Sequence, residues 1–289
     1  MTDDEAVMLA GARLPTATAD IAKAELDLKQ HGICIIEDAL DGEMLARVRN
    51  AIYRVADTDA LHAHEPDFPL DYGDSNHRIW NLPSRDPVFA QLAEHPVVVA
   101  LLRSLLGWPV LLSSFSANIA GPGGDDSQMH ADQFFVPGRW DKPQSVNCAW
   151  VIDDFTAENG ATNFVAGSHL LGRSPRDDEQ DLGVPLIAKA GTLIAFEGRL
   201  WHKTGINVTQ SERRAGLFAN YTRNIYRTQE NWFLSLDRSV VQTASKTLLT
   251  LLGYHTEGLG MVNGLPPLWQ KTDYAAVARK KAPSGSPAM

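Results

Sequence analysis

Residues 128–135 read QMHADQFF, directly after the Gly/Pro-rich run AGPGGDDS. The run suits a β-strand, yet it carries His130 and Asp132 at i and i+2. On a strand those two side chains point to one face. Either that face meets water and the pair is incidental, or it meets an interior and the pair needs a partner. The same alternation places Gln128 and Phe134 beside His130 and turns Phe135 away into packing.

The surroundings of this stretch set the fold class. From Trp108 onward come PVLLSSFSANIA, SVNCAWVIDD, ATNFVAG, PLIAKAGTLIAFEG, LWHKTGIN and RRAGLFANYTR, each short and separated by turn signals. That pattern predicts an all-β barrel or double-sheet jelly roll. Asn159-Gly160 is a tight-turn dipeptide between two of the runs. The first third has helical spacing instead. IAKAELDLKQHG predicts a helix stopped by Gly32, ICII a short buried strand, and DGEMLARVRNAIYRVAD a helix capped by Asp41. Thr58 to Pro87 reads as a long loop, the length at which loops become lids. DPVFAQLAEHPVVVALLRSLLG is helical, with a break at Pro96, and a last helix is expected near 237–252. The expectation is a single domain over 1–289, mainly β with flanking α-helices, with flexible ends at 1–20 and 280–289.

Composition narrows the function classes. The chain has 289 residues, 44% hydrophobic and 21% charged, with a formal charge of −9. There is no basic stripe, so nucleic acid is not an expected partner. Cys34 and Cys148 lie in apolar runs and read as buried thiols of a reducing compartment. The acidic N-terminus has no signal-peptide core, and the expected location is cytoplasmic, with no membrane partner.

The chemistry rests on three features. His130 and Asp132 share a face, His202 follows Trp201 in a later strand-like run, and Arg213 lies eleven residues beyond His202. Two histidines and a carboxylate can hold one face of an octahedral iron(II), leaving three positions for a bidentate co-substrate and dioxygen. An arginine can grip the far carboxylate of that co-substrate. A zinc hydrolase could use the same three ligands but has no need of the arginine.

HAD at 130–132, FTAENGATNFVAGSH at 155–169, GTLIAFEGRLWHKTGINVT at 191–209 and RRAGLFANY at 213–221 together resemble the phytanoyl-CoA dioxygenase family, over about residues 28 to 225. The resemblance implies a double-stranded β-helix (jelly-roll, cupin-like) core, iron(II), 2-oxoglutarate and dioxygen. It implies His130, Asp132 and His202 as metal ligands and Arg213 as the 2-oxoglutarate arginine, with Gln128 and Thr162 beside the co-substrate. If the strand register slips by one, Arg214 takes the place of Arg213. Because Asp132 is present, the metal face is complete, which favours hydroxylation, desaturation or another oxidative outcome over halogenation. Glu158 and His169 are expected to be structural.

Phe134, Asn118, His77, Arg78 and Trp80 are the candidate substrate residues. Their mixed aromatic and polar character suits a partly apolar small molecule, such as a terpenoid or polycyclic specialised metabolite. Without a basic cluster for a coenzyme A tail, a phytanoyl-CoA-type acyl-CoA hydroxylase is the alternative, and a non-catalytic jelly-roll binding protein is another. A homodimer remains open.

Overall fold

The computed structural model describes residues 1–59, 75–124, 126–255 and 259–261. In chain order these form α1 (Asp3–Gly11), α2 (Ile21–His31), β1 (Ile33–Ile36), α3 (Gly42–Thr58), β2 (Asn76–Ile79), α4 (Pro87–Ala93), α5 (Pro96–Leu105) and β3 (Val110–Ala120). Then follow β4 (Ser145–Val151), β5 (Asn163–Phe164), β6 (Val184–Pro185), β7 (Leu193–Glu197), β8 (His202–Lys203), β9 (Arg214–Arg223), α6 (Trp232–Ser235), α7 (Arg238–Thr243) and α8 (Lys246–Leu251). The predicted residues 280–289 lie outside the described residues.

Six strands form an antiparallel sheet in the order β1-β7-β4-β9-β3-β2, and three form a small sheet in the order β6-β5-β8. Period-2 alternation sorts each long strand onto two faces. On β9, Ala215, Leu217, Ala219 and Tyr221 join the larger core. So do Val146, Cys148 and Trp150 of β4, together with apolar residues of α2, α3, α4, α5 and α8. The opposite face meets the small sheet. Ala149, Val151, Ile194 and Phe196 pack there against Phe155, Phe164 and Leu186. This is the jelly-roll arrangement, with helices covering one outer face.

Local signals explain most element ends. Asp20 caps α2 by accepting from the Ala22 and Lys23 amides, and Gly32 stops it at φ 71°, a conformation that costs glycine nothing. Asp41 caps α3 through the Met44 amide. The apolar stretch Pro87–Leu105 is long enough to cross a membrane by composition, with a mean hydropathy of 1.3. It is broken at Glu94–His95, and Val88, Phe89, Leu92, Val98, Leu101 and Leu102 are buried in the larger core. The predicted last helix is two, α7 and α8, because Ser245 caps a new start by accepting from Leu248 N.

Three expectations are corrected. Residues 1–20, expected to be flexible, carry α1 with a Thr2–Glu5 capping box, and Thr18 bridges Ile36. Within the long loop of Thr58 to Pro87, Asn76–Ile79 is a strand on the edge of the large sheet. QMHADQFF is not a strand: His130 makes an isolated bridge to His202, and Asp132 opens a 3-10 turn ending at Phe135.

Candidate metal centre and substrate cavity

The bridge between His130 and His202 is a closed pair of backbone bonds. His130 N donates to His202 O at 3.0 Å and His202 N donates to His130 O at 2.9 Å. Met129 and Ala131 bury beside Trp140, Val165 and Trp201, so His130, between the first two, and His202, next to Trp201, are turned the other way. Their ring centroids lie 4.3 Å apart. Asp132 then brings its Oδ1 to 3.7 Å from the Nε2 of each ring. One potential ligand atom from each of the three residues falls within 4.8 Å of the others, so the group could hold a metal ion.

The outward side of each group is already committed. His130 Nδ1 lies 2.9 Å from the Gln128 carbonyl and His202 Nδ1 lies 3.0 Å from the Leu200 carbonyl. A carbonyl only accepts, which places the proton on Nδ1 and leaves the Nε2 lone pairs facing Asp132. Burial pushes the His202 imidazole down to about 4, with His130 acting in the same direction, so the ring is neutral at neutral pH. Burial alone would raise Asp132. The two histidines and the amides of Asn147 and Asn220 outweigh it and hold the carboxyl below its ordinary value.

Those two amides sit opposite each other on neighbouring strands, Asn147 of β4 paired with Asn220 of β9. They donate to Asp132 Oδ2 at 3.0 and 3.1 Å. One carboxylate oxygen is thereby held by the sheet and the other faces the two imidazoles. Supporting hydrogen bonds of this kind set ligand orientation, and losing one commonly costs 10–100-fold in metal affinity. Asn147→Ala and Asn220→Ala are each expected to weaken metal binding by about that factor, read by competitive nickel(II) titration of folded protein. Affinities within twofold of the parent would show that the turn alone positions Asp132. Both asparagines were missed in the sequence. The available signal was a polar residue within an otherwise apolar buried strand.

The arginine pair resolves by register. Ala215 packs into the outer core and its amide donates to Asp153 Oδ2, so Arg214 points between the sheets and Arg213 points out. The expectation of an inward Arg213 is corrected. Arg213 lies over the Tyr53 ring at 5.0 Å and 3.8 Å from Asp57 on the surface. Arg214 is fully buried, over the Phe155 ring at 4.4 Å, and donates through Nη2 to the Gly160 carbonyl. Among the described residues its Nε and Nη1 have no hydrogen-bond partner. Burial pulls the guanidinium down to about 10, so it remains a cation. A buried cation with idle donors is costly unless an anion joins it.

Other expected residues are spread around the site. Thr162 is buried just before β5, whose Phe164 stacks on His202. Gln128 contributes its carbonyl, while its side chain is exposed, because the chain around it is not a paired strand. Arg78, Trp80 and Phe134 line a cavity of about 550 Å³ that also contains His130 and Asp132. His77 and Asn118 are not in its lining. His77 faces Asp59 at 3.5 Å, on the opposite side of β2 from Arg78, and Asn118 reaches Thr204 instead. Phe135, expected to turn away from the His130 face into packing, lines the cavity beside Tyr226 because the 3-10 turn breaks the alternation. His169 packs against Gly32 and stays apart from the metal group, as expected of a structural residue.

The model of the phytanoyl-CoA dioxygenase (PhyH) family matches residues 28–215. The chain belongs to this family. A dioxygenase from Aspergillus fumigatus, af480, is 34% identical over 261 residues, covering 88% of this chain and 84% of its own. The dioxygenase FrzG of a Cladobotryum species is 27% identical, covering 88% of this chain and 90% of its own. Among solved structures, the non-heme alpha-ketoglutarate-dependent epimerase SnoN from nogalamycin biosynthesis shares the fold with a TM-score of 0.56 at 20% identity, covering 78% of this chain and 92% of its own. HygX from Streptomyces hygroscopicus, solved with nickel and 2-oxoglutarate, shares it with a TM-score of 0.57 at 15% identity, covering 71% and 88%. This PhyH-family protein is an Fe(II)/2-oxoglutarate-dependent dioxygenase. The donor set agrees: two imidazole nitrogens and one carboxylate oxygen suit iron(II), and a buried arginine with free N–H groups suits a dicarboxylate.

Proposed function

We propose that the enzyme oxidises a C–H bond, by hydroxylation or desaturation, in a partly apolar small molecule such as a terpenoid or polycyclic specialised metabolite. His130, Asp132 and His202 hold the iron, and Arg214 grips the distal carboxylate of 2-oxoglutarate, with Thr162 beside it. Bound iron(II) and 2-oxoglutarate supply the oxidising power drawn from dioxygen, releasing succinate and carbon dioxide. The chain supplies position. Asn147 and Asn220 keep Asp132 turned toward the histidines, and Phe155 and Phe164 keep the interior between the sheets apolar and dry.

The observation that carries the reading is the joining of a metal group to the cavity. His130 and Asp132 lie in its wall, beside Trp80, Phe134 and Phe218. About 550 Å³ is ample for a ring system of drug-like size. An anaerobic titration of iron(II)-loaded protein with 2-oxoglutarate tests the centre through its visible charge-transfer band. A panel of polycyclic compounds and acyl-CoA thioesters, followed by succinate release, tests the substrate. Turnover confined to thioesters would favour the acyl-CoA alternative. No band in folded, iron-replete protein would favour the binding-protein reading.

Trp80→Ala and Phe134→Ala are expected to change the preferred member of that panel while leaving 2-oxoglutarate affinity within about twofold, since neither touches the buried arginine. An equal loss of both would mean that these residues support the fold.

A further inference from the structure

The cavity over the metal group has an unusual charge. The chain carries a net −9, yet among the described residues lining this cavity the single acid is Asp132, which is turned to the histidines and asparagines. Two arginines line it as well, Arg78 and Arg227. Arg78 enters from β2, donates to Ser116 Oγ at 3.1 Å and lies 5.7 Å from the centre of the Trp80 ring. Arg227 is exposed and forms no ion pair or hydrogen bond with the described residues.

Arg227 is nevertheless held in place. The register of β3 against β9 skips Ser113, and this extra residue turns its polar groups to the segment after β9. Ser113 Oγ accepts from Gln229 N at 3.1 Å, and Ser113 O accepts from Glu230 N at 2.8 Å. On the other side, Tyr226 meets the Phe135 ring edge-on at 5.3 Å. The bulge and the turn bearing Asp132 thus flank the segment that carries Arg227, which is exposed and lines the cavity. Trp80, Phe134, Phe135 and Phe218 supply an aromatic wall to the same cavity. A second cavity of about 540 Å³ shares Arg78 and Trp80 but mixes its charges, with Asp59, Glu230 and Asp237 beside Arg85, which lies 3.3 Å from Asp59. The lining on the metal side of that wall favours an anion.

We infer that the substrate carries a carboxylate, which Arg227 binds at the cavity mouth with Arg78 below it, while the apolar body lies against the aromatic wall over the metal. This rests on the cavity being the substrate site of the iron centre. The pairing is charge-assisted and can be bidentate, which selects an acid over its neutral amide of the same shape.

The test uses 2-naphthoic acid and 2-naphthamide as a matched pair. Each is titrated anaerobically into enzyme loaded with iron(II) and saturating 2-oxoglutarate, and the shift of the charge-transfer band is followed. The acid is expected to bind about tenfold tighter than the amide or better, with the advantage shrinking as salt rises. In Arg227→Gln that advantage is expected to fall to about twofold or less. Equal affinities in the parent enzyme, a preference that survives Arg227→Gln, or no shift with the acid would each overturn the inference. A band lost rather than shifted would show the acid displacing 2-oxoglutarate and would overturn it too. No band before any probe is added would instead sink the reading of the iron centre on which it rests.

Discussion

Asp132→Ala is expected to eliminate the charge-transfer band of the iron(II)·2-oxoglutarate enzyme and to lower substrate-dependent succinate formation by on the order of 10³-fold or more. His202→Ala should match it. The effect is large because the three groups act as one unit: Asp132 Oδ1 lies at the same 3.7 Å from both imidazole nitrogens. No other His, Cys, Asp or Glu among the described residues joins that group, so nothing nearby can replace a lost ligand. The fold should persist, since Asp132 opens a short turn and contributes no β-ladder bond. Circular dichroism and thermal melting check this. A variant retaining a tenth of parental turnover would remove the ligand role proposed for Asp132.

The second large effect separates neighbouring arginines. Arg214→Gln is expected to weaken 2-oxoglutarate binding by about 3–4 kcal/mol, roughly 10²–10³-fold, whereas Arg213→Gln should stay within about twofold. The reason is burial. Arg214 is fully enclosed with two idle nitrogens, while Arg213 is a surface cation beside Asp57 and Tyr53. The same burial reverses the sign of a stability measurement. Without 2-oxoglutarate the enclosed cation lacks its anion, so Arg214→Met is expected to melt above the parent, by up to about 1–4 kcal/mol in stability. With 2-oxoglutarate the parent should melt higher and the variant should not respond. If Arg213→Gln produced the large loss of affinity, the inward arginine would be misassigned.

The sequence made the two histidines and Asp132 visible because residue type and spacing survive any local backbone shape. The bridge and turn that hold them were hidden. An i, i+2 pair looks alike in a strand and in a one-residue bridge followed by a 3-10 turn. Which arginine faces inward was also hidden, for a different reason. Both faces of β9 are largely buried, so alternation of Arg214, Gly216, Phe218 and Asn220 against Ala215, Leu217, Ala219 and Tyr221 does not say which set meets helices. That choice is made by packing on α4, α5 and α8 and by Asp153, remote in sequence. Helix α1 could have been read, since Thr2 and Glu5 form the spacing of a capping box. The asparagine pair was half legible: each residue announces a buried polar group, but its shared acceptor lies on another segment.

The reciprocal backbone bonds of His130 and His202 join two segments separated in sequence by β4, β5, β6 and β7. The ion we propose their side chains share would be a removable clasp on a very long chain loop, and closing such a loop restricts the unfolded chain. The two amides inside the clasp become a gauge of it. Their hydrogen exchange should slow when the ion is loaded and quicken when a chelator strips it, so occupancy is readable from the backbone of a colourless protein.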